Sequence, residues 1–143
     1  MEYYHSKEWR DYLNSSLNQI LLMEKISYNN IRYSTLPQQK GIYIISEMLE
    51  GVELVLYIGR SKNLRNRIYT NHLHGSITNA RLKKYIINDS THICFENLAM
   101  SKKYIKEKCY VRWLFEDDFR KRGALEGYFT AMLFPKYGIA EEH

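Results

Sequence analysis

Two short runs, Gly41-Ile-Tyr-Ile-Ile45 and Glu53-Leu-Val-Leu-Tyr-Ile58, constrain this chain more than any other segment. Both are rich in β-branched and aromatic residues, which suit a pleated strand, and Glu50-Gly51 between them supplies turn residues. Together they predict a β-hairpin. Side chains alternate along a strand, so Tyr43 is expected on the face of Ile45, and Tyr57 on the face of Val55. A register that sets Tyr43 opposite Tyr57 would aim both phenols the same way. Gly59 then breaks the strand, and Arg60-Ser-Lys-Asn-Leu-Arg-Asn-Arg67 opens a helix with four cations in eight positions. Two phenols beside a basic helix start suit phosphodiester chemistry.

The triplets Gly41-Ile42-Tyr43 and Tyr57-Ile58-Gly59, with Arg67 ten positions after the second tyrosine, resemble the GIY-YIG nuclease family. The likeness extends to Ala124-Leu-Glu126-Gly-Tyr-Phe-Thr-Ala-Met-Leu-Phe-Pro135-Lys-Tyr137, where the family carries a metal-binding glutamate on a helix, then a proline and a tyrosine. It covers residues 41 to 138. The resemblance implies a small α/β fold: a three-stranded, mainly antiparallel sheet flanked by helices, here with an extra N-terminal helix. The expected division is residues 1–40 as a helical extension packed on the core and 41–143 as the nuclease-like domain.

The resemblance also implies a divalent-metal-dependent endonuclease, with DNA the expected polymer. Tyr43, Tyr57, Arg67 and Glu126 would be catalytic, with Tyr43 as base, Tyr57 positioning water or phosphate, and Arg67 holding the scissile phosphate. Glu126 would be the ligand of a magnesium or manganese ion. Magnesium keeps most of its waters and takes few carboxylates, so one glutamate suits it. Arg60, Lys62, Arg65, Asn71 and His74 are expected to contact phosphate or nucleic acid. Two positions depart from the family's pattern. Asn71 stands where histidine or tyrosine is usual, with His72, His74 or Tyr69 as candidate substitutes, and Gly138 stands where asparagine is usual. A module that has lost catalysis and kept nucleic-acid or protein contacts is therefore the alternative reading.

A chain of 143 residues with 45% hydrophobic content supports one core and excludes a disordered polymer. No apolar run is long enough to span a bilayer, and no signal peptide opens the sequence. Cys94 and Cys109 make neither a disulfide framework nor a zinc site, which fits a cytoplasmic protein. The net charge of +5 suits a polyanionic partner, and the clustered cations argue more strongly than the total. A second basic group, Arg81, Lys83 and Lys84, is expected on a following helix. With no appended DNA-reading domain evident, specificity is expected from the N-terminal extension, from residues 88–100, or from a partner chain.

Ser6 reads as the cap of a first helix, with Trp9, Leu13, Leu17, Ile20 and Leu21 at helical spacing. Residues 25–40 read as irregular. Asn63 caps the basic helix, whose inward stripe starts with Leu64 and Ile68, and Ser76 opens the next. Residues 91–95 read as a short strand or packed loop, 101–108 as a helix, and 109–115 as the third strand. Asp117 or Asp118 opens the helix that carries Glu126, and Pro135 stops it.

Overall fold

A computed structural model describes residues 6–74 and 98–138, apart from the side chains of 71–74, 98, 99 and 101. The expected hairpin joins β2 (Gly41–Leu49) to β3 (Val52–Ser61). Leu49 pairs with Val52, so the connection is the two-residue turn Glu50-Gly51, and both residues have positive φ, 51° and 81°. That backbone matches the twist of a hairpin and is natural for glycine, whereas Glu50 adopts it at some cost.

β2 also pairs antiparallel with β4 (Cys109–Phe115), which in turn pairs with β1 (Ile26–Ser27). The order is β1-β4-β2-β3, all antiparallel. The sheet therefore has the three expected strands plus a two-residue strand within the segment read as irregular. That strand is too short to leave a periodic signal. β2 lies in the middle and is buried on both faces from Gly41 to Glu47.

The hairpin is not regular. Its register shifts between Ile45 and Ser46: Ile45 faces Tyr57, whereas Ser46 faces Val55, and Leu56 is the additional residue. Such a bulge reverses the alternation of side chains on its far side. The expected sharing of a face by Tyr57 and Val55 is thereby overturned. Leu56 and Tyr57 both pack with Tyr43 and Ile45 on one side, while Val55 packs with Ile42, Ile44 and Ile58 on the other.

Helices cover both sides. α1 (Lys7–Leu22) is capped by the Ser6 hydroxyl, which accepts from the Trp9 amide at 3.2 Å. Its Leu17 and Ile20 are buried with Ile42, Ile44, Leu125 and Phe129, whereas Leu21 points outward, contrary to the expected stripe. Each fully buried aliphatic or phenyl group here contributes about 1.5–3 kcal/mol relative to exposure. On the opposite side pack α2 (Asn66–His74) and α3 (Leu98–Lys108). Leu64, Ile68, Ile105 and Tyr28 close that layer around Tyr43.

Asn63 caps the start of α2, its Oδ1 accepting from the Asn66 amide at 3.2 Å. Beyond that turn α2 is wound as a π-helix, so the three-and-four spacing that would set Arg67, Asn71 and His74 on one face of an α-helix does not apply. α4 (Phe119–Leu133) is capped by Asp118, whose carboxylate accepts from the Lys121 amide at 2.9 Å. Residues 75–97, with the expected second basic helix, Cys94 and the strand or loop at 91–95, lie outside the described residues.

Candidate active site

β3 is an edge strand, and the candidate site forms along its free side. After α4 the chain turns at Phe134, which has a left-handed backbone with φ 48°, and runs back beside β3. The amides of Lys136 and Tyr137 donate to the carbonyls of Val55 and Leu56 at 3.0 and 2.9 Å. The bulge is what presents these two successive carbonyls outward. α4 approaches the layer of Ile42 and Phe129, yet Tyr137 ends in the layer of Tyr43. Residues from both sides of the sheet thus meet round its edge. Tyr57, Ile58, Glu126, Thr130, Pro135, Tyr137 and Gly138 line a pocket there of about 160 Å³.

The two tyrosines are not directly opposite one another. Tyr43 pairs with Gly59, and Tyr57 with Ile45, two positions along. The expected common face nonetheless results, with ring centroids 6.2 Å apart and planes tilted by 36°. Gly59 is what allows it. A Cβ at that position would lie 2.3 Å from the Tyr43 hydroxyl, so the tyrosine ring occupies the space a side chain would need.

Tyr43 is completely buried. Its hydroxyl accepts from the Arg67 Nε–H at 3.3 Å. Burial drives its pKa far above the ordinary phenol value, Tyr57 adds to the rise, and Arg67 only partly opposes it. A phenol closed off from solvent and held protonated is a poor base for water. Tyr57 is half-buried and faces the pocket, which argues for reversing the expected division of roles between the two. Arg67 also bonds to Tyr57, so one guanidinium bridges both phenols.

Glu126 is half-buried, and its pKa is raised. Desolvation is the main cause, opposed first by the charge of Arg60, then by a bond from the Arg60 backbone amide, then by the charge of Arg67. The quartet Tyr43, Tyr57, Arg67 and Glu126 is therefore brought to one edge of the sheet, with Tyr57 and Glu126 on the pocket wall and Tyr43 behind it. No group of three or more histidine, cysteine or acidic side chains clusters among the described residues. One carboxylate in a pocket with room for several waters fits a hydrated hard cation.

The neighbouring cations differ. Arg60 crosses α4 at Gly123, where a Cβ would lie 2.4 Å from its guanidinium nitrogen, and Lys62 is exposed. Arg65 is committed elsewhere: its Nε donates to the Leu36 carbonyl at 2.8 Å, Nη2 to Ser34 at 3.2 Å, and it lies over the Tyr33 ring. It clamps the 33–36 turn. The side chains of Asn71 and His74 lie outside the described residues.

Thr130 lines the pocket without having been singled out from sequence, and Tyr137, noted there only as part of the motif, lines it too. Thr130 follows Glu126 by four residues on the same helix face, a signal that was available. Tyr137 reaches the pocket only through the return of the chain along β3. Gly138 has φ 95°, and a Cβ there would lie 3.7 Å from the Tyr57 ring.

No protein-family model matches the chain, and no curated protein matches it. Among solved structures, it is similar to the N-terminal GIY-YIG endonuclease domain of UvrC from Thermotoga maritima bound to magnesium. The identity is 21% and the TM-score 0.40, over 75% of this chain and 91% of that one. It is likewise similar to a tyrosine-to-phenylalanine mutant of that domain bound to its catalytic divalent cation, at 21% identity and TM-score 0.40, over 75% and 90%. Likeness at this level decides nothing about residues, and their roles rest on the geometry above.

The desolvated carboxylate has a measurable consequence. A raised carboxyl pKa stabilises the fold fully below the ordinary glutamate value of about 4.3, and that stabilisation is lost as pH rises through the raised value. At neutral pH the charged Glu126 thus weakens the metal-free protein. Glu126→Gln should melt at a higher temperature than wild type at pH 7 in chelator, with the gap closing in acid. Adding magnesium should raise the wild-type melting temperature alone. A lower melting temperature for Glu126→Gln throughout would contradict the desolvated site.

Proposed function

We propose that this chain is a GIY-YIG-type nuclease domain that hydrolyses phosphodiester bonds in DNA, using a divalent cation held by Glu126. The observation that carries the reading is the meeting of Tyr57 and Glu126 on one pocket wall, with Arg67 bridging the phenols behind it. Two phenols and a basic residue can be explained by packing. A desolvated carboxylate brought beside them from another helix has no packing reason, because burying its charge is unfavourable.

Magnesium or manganese would stabilise charge on the departing oxygen and the phosphoryl group. Arg67 is suited to the phosphate, since its guanidinium offers several donors in one plane. Tyr57 is suited to orient the attacking water and draw its proton. A phenol needs a neighbouring cation to act as a base at neutral pH, and the Arg67 guanidinium is bonded to this one. Tyr43 acts through Arg67, holding the guanidinium in register with the pocket. Arg60 keeps Glu126 ionised for its metal. The cytoplasm, where DNA and free magnesium coexist, is the compartment this chemistry fits.

The alternative is a binding module without cleavage. It is favoured by the lack of a histidine or tyrosine at Asn71 and of an asparagine at Gly138, both amide or ring groups that could handle protons or phosphate.

The deciding experiment is supercoiled plasmid incubated with pure protein and magnesium or manganese. Wild type should nick or linearise it. Tyr57→Phe should lose cleavage by about a hundredfold or more, the scale of a lost general base, while Tyr43→Phe should retain more. Binding without cleavage under every metal condition would establish the module reading instead.

A further inference from the structure

Phe119, the first residue of α4, is 65% exposed, although a phenyl ring at a helix start has no need of water. It is bracketed by cations. The Arg60 guanidinium lies 5.8 Å from its ring centroid and that of Arg122 lies 6.0 Å away. Arg122 is buried and fixed to the carbonyls of Glu116 and Asp117 at 3.1 and 2.8 Å, so it holds the ring's inner side. Arg60 is exposed, so its guanidinium is open to solvent beside the ring.

The ring is in line with the pocket. Residues 119, 123, 126 and 130 return to within about 60° of one another around an ideal α-helix. Phe119, Gly123, Glu126 and Thr130 therefore form one stripe along α4. The missing side chain at Gly123 is what lets Arg60 lie across that stripe, between the ring and the carboxylate. Seven residues of helix put Phe119 about 10 Å along the axis from Glu126, the length of about three stacked nucleotides.

We propose that Phe119 is a base-stacking platform for the DNA strand that flanks the scissile phosphate, with Arg60 contacting the phosphate between platform and pocket. This rests on the nuclease reading and extends it to where the substrate strand runs. A flat, exposed ring flanked by cations is what single-stranded nucleic acid uses: bases stack on the ring, and the backbone follows the charge. Continuity with the pocket, and the exposed Arg60 guanidinium lying across the stripe, favour this occupant over an apolar protein segment, which offers that guanidinium no phosphate.

The test is binding of a short single-stranded oligodeoxynucleotide carrying 2-aminopurine, measured in chelator so that cleavage plays no part. Wild type should bind and quench the 2-aminopurine through stacking. Phe119→Leu keeps an apolar side chain and removes the ring. It should weaken binding by about fivefold or more and abolish the quench, following the usual worth of one stacked base. Phe119→Trp should restore both, and Leu22→Ala, an exposed apolar residue at the end of α1, should change neither. Equal binding and quench for Phe119→Leu and wild type would overturn the platform while leaving the nuclease reading intact. No binding by wild type would also overturn the platform, while plasmid cleavage decides the nuclease reading separately.

Discussion

Glu126→Ala is expected to reduce plasmid cleavage by about a thousandfold or more, the effect of losing several kcal/mol of transition-state stabilisation by a metal. Its effect on DNA affinity, measured in chelator, is expected to be less than about threefold, because the carboxylate repels phosphate and the cationic contacts are untouched. The separation of the two effects is the informative part. Arg67→Ala, by contrast, should reduce both, since the guanidinium meets the phosphate in the bound state and in the transition state. If Glu126→Ala cleaves as fast as wild type, the metal is held elsewhere or the nicking comes from a contaminant, and the proposed site is wrong. Raising magnesium will not rescue the alanine variant, whereas it should partly rescue a variant that only weakens the ligand's surroundings, such as Arg60→Ala.

The hairpin and the terminal helix were legible because their signals are local. Glu50-Gly51 announces a two-residue turn, Asp118 announces a cap, and the runs beginning at Gly41 and Cys109 have strand composition over their full length. What escaped was non-local. The bulge at Leu56 leaves no mark in the sequence, since Val55, Leu56 and Tyr57 are all good strand formers, and it arises where Lys136 and Tyr137 need two outward carbonyls. The same holds for Arg65. Its bonds to the carbonyls of Ser34 and Leu36 could not be read from its place in a basic segment, because those carbonyls are brought close only by the fold. Tyr43 and Tyr57 look equivalent as letters. Burial distinguishes them, and burial depends on which strand is central and which lies at the edge.

Gly59 concentrates that dependence in one position. Gly59→Ala is expected to lower stability by about 2–3 kcal/mol, as overpacking against an immovable neighbour does. The new methyl would lie 2.3 Å from the Tyr43 hydroxyl and 2.5 Å from its Cζ, and Tyr43 is fully buried. Urea unfolding should report the loss as a lower midpoint with an unchanged slope. In a Tyr43→Leu background the shorter side chain leaves the methyl its space, so the same substitution should cost less than about 1 kcal/mol, and the difference is the coupling between the two residues. Gly127→Ala supplies the opposite sign. It meets nothing within 4 Å and sits in α4, so it should stabilise the protein by about 0.5–1 kcal/mol. Equal costs for Gly59→Ala in both backgrounds would mean that the glycine answers to strand conformation alone. The Tyr43 ring would then not lie across it, and the positioning of Arg67 through that ring would fail with it.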